Sequence, residues 1–213
     1  MDIAILLFER LTALDAIGPY EVLQRLPGAQ VRFVGAERGP VRTEHGMLGL
    51  IADFGYDEVT SAAILVVPGG FGTRPLIDDA PTLEWIRAID AGSQWTTSVC
   101  TGSLLLGAAG LLQGKAATTH WSVLDMLSRF GATPVSRRVV EQGKVITAAG
   151  VSSGIDMALT LAALVAGDEI AQAIQLGIEY DPQPPFDSGS VTKASESVYK
   201  LAVAGLQDAD AKR

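Results

Sequence analysis

The sequence predicts an α/β fold: a single doubly wound, mostly parallel sheet with helices on both faces. Two observations carry this. The clearest strand segments, Ile3–Leu7 and Ile64–Val67, are unbroken aliphatic runs rather than in-and-out alternations, the pattern of strands covered on both sides. These runs alternate with segments of helical period, the order that builds a parallel sheet. No repeat, linker or block of charge divides the 213 residues, a length that suits one domain, and residues 1–213 are read as one.

The elements follow in order. After the strand Ile3–Leu7, Asp15–Leu26 places Ile17, Val22, Leu23 and Leu26 near helical spacing, with Gly18-Pro19 assigned to its first turn. Val31–Ala36 is a second strand, and Val41 to Asp53, punctuated by Gly46 and Gly49, is a small hairpin or irregular arm. Ile64–Val67 ends in the turn Pro68-Gly69-Gly70-Phe71-Gly72. Pro81–Ala91 is a helix, Trp95–Val99 a strand, and Gly102–Ala109 a helix of small residues closed by Gly110. A short strand, Lys115–Ala117, precedes a helix over Trp121–Phe130 that stops at Gly131. Arg138–Glu141 and Val145–Thr147 flank Gln142-Gly143 as a hairpin. Gly154–Val165 and Glu169–Leu176 are helices broken at Gly167. Asp181–Ser188 is a proline-rich extended loop, and Val191–Leu206 a last helix followed by a frayed charged tail. The whole reads as a flavodoxin-like sandwich.

Composition removes several function classes. One cysteine, Cys100, excludes a disulfide scaffold and a cysteine-rich zinc site, and with only His45 and His120 beside it no metal centre is expected. A net charge of −8 argues against a sequence-independent grip on nucleic acid. The longest apolar stretches, Leu104–Leu112 and Met157–Ala166, fall short of the ~18 residues of a membrane span. Met1-Asp2 opens straight into an apolar run with no basic region, so no targeting segment is expected and the location is read as cytoplasmic, with the thiol reduced. Gly69-Gly70-Phe71-Gly72 lacks the Lys and Ser/Thr of a phosphate loop, and Gly110 and Gly114 do not fit a dinucleotide fingerprint; no cofactor is expected.

Three features converge at the carboxyl edge of the sheet. In Ser98-Val99-Cys100-Thr101-Gly102-Ser103 a strand runs into Cys100 and a helix leaves from Gly102, the arrangement of a nucleophile elbow. A thiol at a helix N-terminus is expected to favour its thiolate. Val66-Val67-Pro68-Gly69-Gly70 ends at the same edge, and the N–H groups of Gly70 and Thr101 are the expected oxyanion-type donors. Asp15, at the start of the helix after the first strand, is either an N-cap or an acid that exchanges a proton with the thiol. His120, in Thr118-Thr119-His120-Trp121, is either a locally bonded residue at a helix entry or a base for Cys100, and His45 is a surface or interface residue. Trp85, Trp95 and Trp121 line the core or the site wall.

The order of the Asp15 helix, Val67-Pro68-Gly69-Gly70 and Val99-Cys100-Thr101-Gly102 resembles the ThiJ/PfpI superfamily, relatives of the class I glutamine amidotransferases, over nearly the whole chain. Cys100-Thr101-Gly102-Ser103 and Thr118-Thr119-His120-Trp121 are similar to the isonitrile hydratase branch, and equally to the sensor domain of certain AraC-type transcription regulators. Many relatives carry His directly after the nucleophile; Thr101 here argues against Cys–His protease chemistry, and Asp15 stands where many relatives place Glu. The resemblance implies cofactor-independent hydration of an isonitrile to an N-substituted formamide through a cysteine thioimidate. Cys100 is then the nucleophile, Asp15 the proton donor, and Thr101 and Gly70 the supporting donors. It also implies a homodimer, with the glycine-rich arm near residues 43–50 as a contact, and a small-molecule partner rather than nucleic acid or membrane. Regulator-type ligand sensing and a glyoxalase or deglycase activity are the alternatives.

Overall fold

The N-terminal apolar run forms β1 (Asp2–Leu6), in which every residue after Asp2 is buried, and Ile64–Val67 forms β5, buried throughout. The computed structural model describes residues 1–211 and divides into two compact units, Met1–Ile178 and Glu179–Arg213.

In the first unit the chain runs β1, α1 (Ala13–Leu23), β2 (Gln30–Val34), the hairpin strands β3 (Gly39–Arg42) and β4 (Gly49–Ala52), then β5. It continues through α2 (Thr73–Leu76), α3 (Ala80–Gly92), β6 (Trp95–Val99), α4 (Gly102–Ala108), β7 (Ala116–Ala117), a 3-10 segment (Trp121–Phe130) and β8 (Thr133–Pro134). β9 (Val139–Gln142), β10 (Val145–Ala148), α5 (Ser153–Ala166) and α6 (Asp168–Gly177) complete it. The main sheet has six strands in the order β2-β1-β5-β6-β10-β9. All neighbours are parallel except β9, which turns back antiparallel on β10 at the edge. α1 packs with α5, while α3 packs with α4, giving a helical layer on each face. The core between the layers is aliphatic, centred on Ile3, Ile5, Leu65, Ile86, Leu105 and Leu106. Doubly wound and mostly parallel, the sheet agrees with the sequence reading.

Four details differ from that reading. α1 starts at Ala13, so Pro19 lies in its second turn and leaves the Asp15 carbonyl without the usual N–H four residues on. Close packing accounts for this pair: a Cβ on Gly18 would meet Ile155 at 3.1 Å, so Gly18-Pro19 forms the face that α5 leans on. The Trp121–Phe130 segment is 3-10 and breaks at Val123 (φ −133°), with Leu127 its one fully buried residue. The four-residue α2 and two-residue β8 carry no sequence signal of their own. In the second unit α7 (Glu196–Ala211) begins where Ser195 Oγ accepts the Val198 N–H, and it extends past the expected fraying point at Leu206.

Truncating the centre of the sheet should be costly. Ile5→Ala is expected to lose about 2–5 kcal/mol of unfolding free energy. Leu201→Ala, in an exposed position of α7, should change it by less than about 0.5 kcal/mol. Urea titrations of the two variants check this; equal losses would mean that the core is placed wrongly.

Candidate active site

β1, β5, β6 and β10 are consecutive parallel neighbours, so the loops after them meet at one edge of the sheet. The chain order reverses between β1 and β5, the crevice where open α/β sheets hold ligands. Asp15 follows β1, Gly69-Gly70 follow β5, Cys100 follows β6, and the loop 149–152 follows β10.

Cys100 has φ 56°, a left-handed backbone in a non-glycine residue. This conformation costs about 1–3 kcal/mol and persists only where its surroundings fix it. Its N–H is shared between Ala148 O and Ala149 O, each at 3.1 Å. Its carbonyl accepts from Thr119 Oγ1 at 2.9 Å and Ser103 Oγ at 3.2 Å. The flanking glycines are steric requirements: a Cβ on Gly102 would overlap Val67 O, and one on Gly69 would stand 2.5 Å from Thr101 N. The elbow and the turn after β5 are in backbone contact.

Asp15 is fully buried in the first turn of α1. Thr12 takes the N-cap position, and Asp15 Oδ2 instead accepts the Gly69 N–H at 2.9 Å across 54 residues of sequence. The N-cap alternative therefore fails. Asp15 Oδ1 is buried with no hydrogen-bond partner among the described residues. Burial pushes this carboxyl well above the usual carboxylate range; the Gly69 N–H opposes that, nearby Glu44 reinforces it, and the Cys100 thiol draws it back.

The same pair governs the thiol. Burial and then the Asp15 charge push Cys100 well above an ordinary cysteine, against the N–H groups of Thr101 and Val151, which favour the sulfur anion; Glu44 adds to the rise. The expected thiolate is thus corrected: desolvation outweighs the short α4 N-terminus, and the resting group is a thiol. Thiol and carboxyl form a coupled, buried acid pair.

The donors also differ from expectation. Gly70 N–H is not free to meet a substrate, because it donates to Thr101 Oγ1 at 2.9 Å. Thr101 Oγ1 in turn lies 3.1 Å from Gly70 O, and Thr73 Oγ1 lies within 3.1 Å of both acceptors, its one proton serving one at a time. The Thr101 hydroxyl is therefore structural, and its N–H is the group turned to the sulfur. The second such donor is Val151, held at φ 32°. Residue types gave no sign of Val151 or Thr73; the signal was position, since 149–152 follows the strand beside β6.

His120 is at the helix entry: Nδ1 lies 2.8 Å from Ser122 Oγ, and burial lowers its pKa. Its ring packs against Gly150, with no bond to Cys100. His45 is exposed. Trp85 is a core residue, donating to Val59 O at 2.8 Å and stacked on Tyr56. Among the described residues no three His, Cys, Asp or Glu side chains gather as metal ligands, and no helix is long and apolar enough to cross a membrane.

A doubly wound sheet presenting a strained cysteine elbow beside a buried acid defines the class, and the chain belongs to the DJ-1/PfpI family, whose model matches residues 1–164. Within it, the chain is 48% identical over 198 residues to the isonitrile hydratase of Pseudomonas putida, covering 93% of this chain and 86% of that one. It is 32% identical over 162 residues to the HTH-type transcriptional regulator CdhR of Pseudomonas aeruginosa, but covers only 47% of that protein. A ThiJ/PfpI family protein from Pseudomonas syringae superposes with a TM-score of 0.93 at 38% identity, covering 99% of this chain and 89% of that one.

The buried carboxyl makes a stability prediction. Asp15→Asn keeps an acceptor for Gly69 N–H and removes the titration. The folded value of Asp15 lies above its unfolded one, so the stabilisation from its proton is complete below the unfolded value and is lost as pH rises through the folded value. The variant should therefore gain on wild type as pH rises from about 4 to neutrality, and melt higher there. A lower melting temperature for Asp15→Asn at neutral pH, by calorimetry, contradicts the burial argument.

Proposed function

We propose that this chain hydrates isonitriles to N-substituted formamides, with Cys100 as nucleophile and Asp15 as proton carrier. The observation that carries this is the pairing of a buried, unpartnered carboxyl oxygen with the thiol at the elbow; extensive identity to an isonitrile hydratase supports it.

The terminal carbon of an isonitrile is attacked by soft nucleophiles and, once attacked, needs a proton. Cys100 passes its proton to Asp15 as the sulfur bonds to that carbon; the N–H groups of Thr101 and Val151 stabilise the charge on sulfur during the transfer. Asp15 returns the proton to the same carbon, giving a thioimidate. Water then adds to that carbon, Asp15 accepting its proton and delivering it to nitrogen. The tetrahedral species collapses as the carbon–sulfur bond breaks, the hydroxyl proton returns to sulfur, and the formamide leaves. Atoms balance as isonitrile plus water, and only groups of this chain take part. A pKa raised by burial suits Asp15 for both directions of transfer.

The partner is thus a small molecule, rather than nucleic acid or membrane. The protein acts in the cytoplasm, where a lone thiol stays reduced. It is a homodimer whose contact includes the β3–β4 arm, an assignment supported by the exposure of Met47, Leu48 and Ile51 there. Sedimentation at micromolar concentration should return twice the chain mass, and Ile51→Asp should shift it toward the monomer. A monomeric wild type contradicts this.

The hydratase reading is tested by following the isonitrile infrared stretch, with methylglyoxal as the competing substrate. Wild type should consume only the isonitrile. Cys100→Ala should be inactive and Cys100→Ser nearly so, since a hydroxyl beside a carboxyl is a poor nucleophile. Asp15→Asn should lose about 10²–10⁴ in rate. Turnover of methylglyoxal alone, or wild-type rates from Cys100→Ala, would reject the assignment.

A further inference from the structure

The β3–β4 hairpin is tied to the site by a seam of backbone contacts. Arg10 N–H donates to Arg42 O at 2.7 Å, Glu44 N–H donates to Leu11 O at 3.1 Å, and Leu11 bridges Thr43. The same segment 10–12 lies against the turn after β5: Thr12 N–H donates to Gly69 O at 2.9 Å, and a Cβ on Gly70 would stand 2.5 Å from Arg10 O. Glu44 is therefore anchored, through three residues of backbone, to the turn that holds Asp15 and touches Cys100. Its side chain is half-buried, whereas His45, Gly46, Met47 and Leu48 beyond it are exposed. No Lys, Arg or His among the described residues forms a salt bridge with it.

We propose that Glu44 is a specificity-determining residue of this site, held by its backbone beside the turn that carries the buried pair, which selects neutral substrates over anionic ones. This rests on the hydratase reading for the identity of the substrate, though not for the selection itself. The Glu44 charge pushes both Asp15 and Cys100 up, and on the sulfur it acts in the same sense as the Asp15 charge. A field that resists a second negative charge on the sulfur resists equally an anion brought to it. A neutral alkyl isonitrile escapes that cost, whereas one carrying a carboxylate meets it as it enters. Burial keeps the effect strong near the sulfur, and added salt weakens it while the incoming anion is still in solvent.

The test compares kcat/KM for a neutral alkyl isonitrile and for an isonitrile carboxylate, in wild type, Glu44→Gln, Glu44→Lys and Glu44→Asp. A second readout needs no turnover: the rates at which iodoacetate and iodoacetamide alkylate Cys100, the one cysteine, taken as a ratio so that changes in thiol ionisation cancel. Wild type should disfavour both anions. Glu44→Gln should narrow each gap by about 3- to 10-fold, mainly through KM for the isonitrile carboxylate. Glu44→Lys should narrow it further, and Glu44→Asp should keep the wild-type ratio. If the variants fail to fold, the wild-type iodoacetate-to-iodoacetamide ratio must still rise with salt. Unchanged ratios in Glu44→Gln and Glu44→Lys, or a wild-type ratio indifferent to salt, overturn the assignment. A shifted alkylation ratio in a protein that hydrates no isonitrile upholds Glu44 and rejects the hydratase reading instead.

Discussion

The left-handed backbone at Cys100 is the constraint on which the rest of the site depends. At φ 56° the chain turns sharply enough to lift the thiol out of the sheet while β6 and α4 stay in their layers. Nothing in the residue favours that conformation, so four hydrogen bonds enforce it, drawn from β10, the loop after it, α4 and Thr119. The glycines at 69 and 102 are consequences: with the elbow this tight, the turn after β5 has to touch it, and a side chain on either glycine would push the two apart.

Strain and buried charge accumulate at this edge. Among the described residues four non-glycine residues have positive φ, and three of them (Arg10, Cys100 and Val151) lie in loops that meet here. A buried carboxyl with an empty oxygen and a buried thiol held protonated are both poor choices for stability. The aliphatic sheet offsets those costs, and a protein built for stability alone would carry an apolar residue at position 15. What the arrangement gains is a buried carboxyl coupled to a buried thiol, so that one can pass a proton to the other, the requirement of a reaction that must protonate and later deprotonate at one carbon.

How much of this was legible in the sequence depended on whether a residue acts through its type or through its backbone. The buried strands announce themselves as aliphatic runs, and Cys100 between β6 and a glycine is recognisable because the elbow needs small neighbours. Asp15 was legible as an acid at the right strand end, though its role as a cap could be dismissed only once Thr12 was seen in that place. Gly70 is legible as part of a glycine turn at the sheet edge, but that its N–H is taken up by the Thr101 hydroxyl, 31 residues away, is a tertiary event. Val151 contributes an N–H from a β-branched residue held at φ 32°, which no residue pattern signals. Glu44 reaches the pair through a hairpin whose docking on residues 10–12 is a tertiary event.

The central claim is that the Asp15 carboxyl and the Cys100 thiol are one coupled acid pair. The most direct measurement is the pH dependence of Cys100 alkylation by iodoacetamide in wild type and in Asp15→Asn, clean because the chain has a single cysteine. Removing the Asp15 charge takes away the second-largest contribution holding the thiol protonated, so the profile of the variant should move to lower pH. A profile that stays in place or moves upward would mean that the two groups do not share a proton, and would contradict the account.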